Sequence, residues 1–379
     1  MATGVELGMT NTATPLAEPG ARILSLETPV PVVDLDRLEQ NLERMAGYTT
    51  QHGLALRPHV KTHKSPWIGA RQVALGAVGL TCATPHEAEE MSAVADDLLV
   101  AYPPVGSARV HRLVTLPEGV RLTVALDSAF AVQSLAGAAA AARRQVGVYV
   151  ELDFGMRRVG VATAAEAIDL ARLVMRESSL EFRGLAFYPG HIRAGVDAQD
   201  EAIARLRGDV SATREAFERA GIAVPVISGG STPTAWRAHE TGATEVRPGT
   251  YVFNDRTTAM MGACEWNDCA LTVLATVVST AVPGQAVIDA GSKALGREPL
   301  RAEGDGFGVL MAHPDVVVKA MSEEHGLLDL SRTDWRPEVG EVVRVIPNHV
   351  CIVVHLNDRL TGVRGEIVDG DWIVAARGR

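Results

Sequence analysis

Arg57-Pro58-His59-Val60-Lys61-Thr62-His63-Lys64 follows the apolar run Leu54-Ala55-Leu56 and holds five cationic or potentially cationic side chains in eight residues. Alternation along a strand would put Arg57, His59, Lys61 and His63 on one face. A face that cationic is costly to bury unless something anionic or electrophilic lies against it. A lysine crowded by positive charge has a lowered pKa and suits attack on a carbonyl carbon. From the residues alone, an exposed basic edge strand fits equally well.

Working outward, short β-branched runs alternate with amphipathic stretches. Strands are predicted at Pro31 to Asp34, Leu54 to Val60, Gly79 to Ala83, Asp97 to Ala101, Arg121 to Leu126, Val146 to Asp153, Phe182 to Tyr188 and Pro225 to Ser228. Asp36 and Glu39 make a capping-box-like start for a helix whose Leu35, Leu38, Leu42 and Met45 share one face. Helices are also predicted at Ser128 to Arg144 and Ala198 to Ala220. Eight strands interleaved with helices fit a closed (β/α)8 barrel better than an open doubly wound sheet. After Thr257 the texture becomes strands and turns, at Ala270 to Ser279, Gln285 to Ala290, Val316 to Ala320, Glu341 to Val345, Cys351 to Leu356 and Glu366 to Trp372. The expectation is an α/β protein with a barrel over 27–257 and a C-terminal β-domain over 258–379. Residues 1–26 read as a flexible tail.

The chain has 379 residues, 47% apolar and 22% charged, the composition of a globular protein with a large core. A net charge of −10 argues against nucleic acid or an anionic membrane as the main partner, though not against a small anion in a local basic pocket. No apolar run approaches the ~18–20 residues of a membrane span. The N-terminus does not read as a secretory signal, and Cys82, Cys264, Cys269 and Cys351 show no paired framework. A reducing cytoplasm is expected.

Several stretches carry potential chemistry. Glu151-Leu152-Asp153-Phe154-Gly155-Met156-Arg157-Arg158 ends a strand in a glycine turn. Ser228-Gly229-Gly230-Ser231-Thr232-Pro233-Thr234 joins permissive glycines to hydroxyls ahead of a helix start, an anion nest suited to phosphate. Tyr188 and His191 follow another strand; His191 is a candidate for proton handling. In Pro347-Asn348-His349-Val350-Cys351, a strand would project His349 and Cys351 from the same face, as an open metal site. Thiolate with imidazole selects zinc.

The Arg57–Lys64 segment resembles the cofactor-lysine strand of the D-serine dehydratase and D-threonine aldolase family. That family is pyridoxal-phosphate-dependent and related to alanine racemase, and the resemblance extends from about Thr28 to the C-terminus. It implies an alanine racemase-type barrel followed by a β-domain. Lys61 would be the Schiff-base lysine, with His59 beside it; Arg158 would be the active-site arginine and Tyr188 a ring near the cofactor. Ser231, Thr232, Gly249 and Thr250 would meet the phosphate and Arg247 the pyridine nitrogen. His349 and Cys351 would hold zinc, with manganese an alternative in aldolase-type sites.

Dehydratase members carry this His-x-Cys pair. Aldolases have aspartate at the cysteine position and glutamine at the arginine position, so Cys351 and Arg247 favour a dehydratase. Val353 to Asp358 looks more aldolase-like. Asp289 to Ala294, Ser322 to Gly326 and Ala375 to Gly378 match family motifs whose positions imply loops that complete the site, across a homodimer interface in the related racemases, and Glu324 with His325 could equally cap a helix. A racemase would need a tyrosine from the β-domain, and none follows Tyr251. The implied reaction is elimination from a D-3-hydroxy amino acid to a 2-oxo acid and ammonia. Retro-aldol cleavage to glycine and an aldehyde is the alternative.

Overall fold

The computed structural model describes residues 18–378. Eight parallel strands form a curled sheet: β2 (Ala55–Leu56), β3 (Leu80–Cys82), β4 (Asp97–Val100), β5 (Arg121–Leu126), β6 (Val146–Leu152), β7 (Leu180–Phe187), β8 (Val226–Gly229) and β9 (Glu245–Val246). Their order is β2-β9-β8-β7-β6-β5-β4-β3. A bridge from His59 to Thr81 joins the last pair: Val60 N–H donates to Thr81 O at 2.8 Å and Thr81 N–H to Pro58 O at 2.9 Å. The ring is therefore closed. All seven residues of β6 are buried, as expected of a parallel strand covered on both faces.

The first predicted strand corrects the expectation. β1 (Val30–Asp34) is a strand but not a barrel strand: it pairs antiparallel with β10 (Leu271–Ser279) and parallel with β16 (Arg359–Arg364). The missing barrel strand is the two-residue β9. The basic segment also forms less strand than predicted, since β2 ends at Leu56 and only the His59 bridge follows. Lys61 thus lies on a turn just past a strand end.

The second sheet adds β11 (Gln285–Ile288), β12 (Gly308–Leu310), β13 (Val318–Met321), β14 (Gly326–Asp329), β15 (Val342–Pro347) and β17 (Ile367–Ile373). Its main order is β13-β14-β11-β10-β1-β16-β17, with β15 pairing β10 and β12. Cys351 to Leu356, expected as a strand, lies in the helix Val350–Leu356. β-branched residues there favour a strand, but Val350, Val353 and Val354 are the buried positions, a helical spacing that packing enforces.

The lobes share one core. Leu38, Leu42 and Met45 of the helix Leu35–Gln51 pack in the same cluster as Phe253, Leu271, Val353 and Trp372. That helix starts where Asp34 accepts the Arg37 N–H at 3.1 Å. Residues 1–17 of the expected tail lie outside the described residues. The rest, 18–26, is laid along the second sheet: Gly20 N–H donates to Val368 O at 2.8 Å, and Ile23 is buried beside Val32 and Val363. Among the described residues, no helix is long and apolar enough to cross a membrane.

A chain of charges fills the barrel interior. Arg57 donates to Glu245 Oε2 and to Asp97 Oδ1, both at 2.7 Å, and Arg121 also meets Asp97. Glu245 Oε1 accepts from the Ser228 hydroxyl at 2.6 Å, which in turn meets Arg247. Removing one partner leaves a buried unpaired charge. Glu245→Ala should destabilise the protein by roughly 3–5 kcal/mol; thermal denaturation monitored by circular dichroism would show a lowered midpoint relative to the wild type.

Candidate active site

The cationic run separates into structural and cavity-facing groups. Arg57 belongs to the interior ion chain. His63 is buried, meets Gln72 Oε1 at 3.2 Å and accepts the Ser65 N–H at 3.1 Å. Burial pushes its pKa down to about 3, so it is neutral at ordinary pH. Lys64, at φ 51°, donates to Glu87 Oε1 at 2.5 Å and to Ala376 O at 3.2 Å. His59 and Lys61 alone of the five line a cavity of about 400 Å³ at the C-terminal ends of the barrel strands. His59 is held well below its usual pKa by burial, then by the charges of Lys61, Arg247 and Lys64.

The Lys61 ammonium stands 5.7 Å from the centroid of the Tyr188 ring, and the Arg158 guanidinium 4.8 Å from it. Asp153 Oδ1 shapes the turn before Arg158 by accepting the N–H groups of Gly155 and Arg157, each at 2.9 Å. Arg247 is buried and donates to the Phe187 carbonyl at 2.9 Å as well as to Ser228. Burial lowers its pKa, while Glu151 and Glu245 pull the other way.

One wall has the backbone and hydroxyls that could cradle an anion. Gly230, Ser231 and Thr232 lead into the nine-residue 3-10 helix Thr232–Glu240, and Gly249 with Thr250 leads into a second, Thr250–Val252. A Cβ on Gly249 would lie 2.9 Å from Thr62 Oγ1 and 3.0 Å from His59 O, so only glycine lets these backbones approach. Ser231, Thr232, Gly249 and Thr250 all line the cavity.

His349 and Cys351 line the same cavity, although by a different geometry from the predicted strand. His349 is the N-cap residue of the helix and Cys351 lies in its first turn. His349 Nδ1 is 3.0 Å from Asp255 Oδ2, and the Cys351 thiol is 3.3 Å from Thr62 Oγ1. Asp255 is fully buried; it caps the helix Arg256–Met260 and also accepts the Val350 N–H at 3.3 Å. The His349 pKa is raised by the Cys351 thiolate foremost and by Asp255, against burial. Burial pushes the Cys351 thiol up, but His349, the Thr62 hydroxyl and Lys61 outweigh it and the net shift is downward. Among the described residues, no cluster of three or more His, Cys, Asp or Glu could hold a metal. His349 and Cys351 could serve as an open two-ligand site, with Asp255 fixing the imidazole through Nδ1.

His191 is exposed, and its ring lies against Gly155. It does not line the cavity. Nor do Asp289 to Ala294, Ser322 to Gly326 or Ala375 to Gly378; in the first two, Lys293 pairs with Glu324 at 2.7 Å on the surface. Sequence reasoning missed Asp255, Thr62, Glu151, Arg193 and Arg301, which need the fold to be recognised. Asp255-Arg256-Thr257-Thr258 carries only a helix-start signal.

Residues 33–257 match the alanine racemase N-terminal domain, and residues 270–363 match the putative serine dehydratase domain. A D-threonine aldolase from Arthrobacter sp. is 32% identical over 373 residues, 96% of either chain. The chain belongs to the D-serine dehydratase and D-threonine aldolase family. Within that family, D-threo-3-hydroxyaspartate dehydratase of Delftia sp. (strain HT23) is 34% identical over 351 residues, 87% of this chain and 92% of that one. The crystal structure of D-threonine aldolase from Filomicrobium marinum superposes with a TM-score of 0.88 at 32% identity, covering 96% of this chain and 99% of that one. A cysteine-to-alanine variant of D-threo-3-hydroxyaspartate dehydratase in its metal-free form superposes at 0.84 with 32% identity, covering 95% and 100%. A second variant of that dehydratase replaces a histidine two positions before the cysteine, the spacing of His349 and Cys351.

Loss of the carboxylate that orients His349 should loosen a bound metal without removing a ligand. Asp255→Asn is expected to lower metal affinity by about 10–100-fold, measured by competition against a chromogenic chelator.

Proposed function

We propose that the chain is a pyridoxal-phosphate- and metal-dependent lyase that dehydrates a D-3-hydroxy amino acid to a 2-oxo acid and ammonia. The observation that carries this reading is that His349 and Cys351 open into the same cavity as Lys61, with Thr62 between them. The residues fit the cofactor. The Ser231–Thr232 and Gly249–Thr250 cradle suits its phosphate, Arg247 is a buried donor for the ring nitrogen, and Lys61 is the free amine for its carbonyl carbon. The donor set of thiolate and imidazole fits a soft divalent ion, zinc before manganese.

When bound, the cofactor supplies an electron sink for the pair released at Cα. The metal, held by His349 and Cys351, would supply a Lewis acid for the β-hydroxyl. This chain's own residues do the rest. Lys61 would hold the cofactor through its amine and is the base placed to take the Cα proton. Tyr188 packs beneath Lys61 and Arg158 and keeps both aimed inward. His59 stays neutral and adds no charge against the amine. Asp255 keeps the His349 ring in one tautomer. Loss of the Cα proton and the β-hydroxyl removes water from the amino acid. Water regained on hydrolysis then yields the oxo acid and ammonia.

Retro-aldol cleavage is the second reading, favoured by the 32% identity to D-threonine aldolase over 96% of the chain and by the Val353 to Asp358 stretch. Racemisation lacks its second base. No tyrosine follows Tyr251, and Tyr251 is itself buried with its hydroxyl bound by Gln72 at 2.9 Å. His191, outside the cavity, has no step in this scheme. A homodimer and a cytoplasmic location complete the reading; the four free cysteines suit a reducing compartment.

Incubating the cofactor-loaded protein with D-threonine, with and without a chelator, separates the readings. Formation of 2-oxobutanoate and ammonia, abolished by the chelator and in Lys61→Ala, is the expected result. Glycine and acetaldehyde would instead establish the aldolase.

A further inference from the structure

The cavity holds more positive charge than the cofactor and a simple amino acid require. Five cationic side chains line it, Lys61, Arg158, Arg193, Arg247 and Arg301, against two carboxylates, Glu151 and Asp255. Asp255 is already engaged by His349. Lys61 and Arg247 serve the cofactor in the reading above, and Arg158 is placed over Tyr188. Arg193 and Arg301 remain without a role.

Both arginines sit on loops that buried amides hold in place. Arg193 lies between β7 and the helix Asp200–Arg219. In that loop the fully buried Gln199 donates through Nε2 to the carbonyls of Ala194 and Pro233, each at 3.0 Å. Val196 N–H adds a bond to Met261 O at 2.9 Å. The Arg193 side chain is exposed and donates to the Gly190 carbonyl at 3.4 Å; among the described residues it has no carboxylate partner.

Arg301 comes from the β-domain. The buried Asn348 clamps its loop from both ends, donating to Glu298 O at 3.1 Å and Gly306 O at 2.8 Å, and Arg256 holds Asp305 O at 2.7 Å. Asn348 directly precedes His349, so this loop is registered to the proposed metal pair. Arg301 meets Glu298 at 3.1 Å, but Arg301 is exposed and Glu298 only half-buried, and such a pair contributes little.

Two guanidinium groups carried by separate loops line one concave space, and an anion bound between them would offset both charges. A carboxylate meets their planar donors in pairs. We infer that Arg193 and Arg301 form an anion subsite at the cavity mouth and that it receives a carboxylate on the substrate side chain. The preferred substrate is then a dicarboxylic 3-hydroxy amino acid of the 3-hydroxyaspartate type rather than D-threonine or D-serine. The inference rests on the lyase reading for its substrate, but not for the subsite itself.

Two measurements test it. The first is kcat/KM for D-threo-3-hydroxyaspartate relative to D-threonine. The wild type should favour the dicarboxylate, and Arg193→Ala and Arg301→Ala should each lower that ratio by about tenfold or more, with lysine at either position restoring part of it. The second is calorimetric titration with malate and with 3-hydroxybutyrate, which mimic the two substrates without the reacting amine. Malate should bind about tenfold tighter or better, and the alanine variants should erase the difference. A ratio near one that neither variant moves, with no malate preference, overturns the subsite and leaves the lyase reading standing. Malate binding that depends on both arginines, with no turnover of either amino acid, upholds the subsite and overturns the lyase reading.

Discussion

Positive charge concentrated at one end of a closed barrel has to be balanced, and the way it is balanced organises this molecule. Of the five cations in the Arg57–Lys64 run, two are neutralised by the protein itself. Arg57 lies between Glu245 and Asp97, and Lys64 is bound to the buried Glu87. Burial has made His63 neutral. Lys61 is left with a ring beneath it and no carboxylate partner among the described residues, beside Arg247, which is satisfied only by a hydroxyl and a carbonyl. Glu151 and Glu245 offset part of the Arg247 charge, and the charge of Lys61 is left for a ligand to offset. The carboxylates Glu245 and Glu87 thereby act on the site at a distance, because without them the structural cations would compete for the same anion.

The seam between the lobes is the second constraint. β1 leaves the barrel to pair within the β-domain sheet, and its last residue caps the helix that returns to the barrel. Ala376 N–H donates to Lys64 O at 3.1 Å, and the Lys64 ammonium donates back to Ala376 O. The C-terminal chain is thus tied to the turn that carries Lys61. A site assembled from both lobes can be stiff only where such ties exist. The shared core of Leu38, Phe253, Val353 and Trp372 supplies the remaining rigidity.

Much of this was legible in the sequence, unevenly and for physical reasons. Long strands such as β5 and β6 announce themselves because parallel strands are apolar throughout. Pro31 to Asp34 was legible as a strand but not as a strand of the other sheet, since alternation describes a segment and not its partner. β9, at two residues, is too short to leave a pattern, yet it carries Glu245 and leads to Arg247. Val350–Leu356 was misread because its β-branched residues speak for a strand while its burial follows a helix. His349 and Cys351 meet the cavity nonetheless, through a cap and a first turn instead of strand alternation. Asp255 stands in a local pattern that signals no more than a helix start; its second partner, His349, is 94 residues away and invisible to any local reading.

Elimination across a Cα–Cβ bond requires a proton acceptor at one carbon and an electrophile at the neighbouring hydroxyl, and the distance between the two must be held. In this chain the proposed acceptor and the proposed metal thiolate are separated by one peptide unit and one hydrogen bond. Lys61 adjoins Thr62, and Thr62 Oγ1 meets the Cys351 thiol at 3.3 Å. Thr62 is fully buried, and the Gly249 backbone packs so closely against it that a methyl group would not fit between them. Its rotamer is therefore fixed by packing. One hydroxyl then sets the spacing of the two proposed reactive ends and also packs against Gly249 of the proposed phosphate cradle, so the proposed proton acceptor, metal pair and anion site share a single reference point.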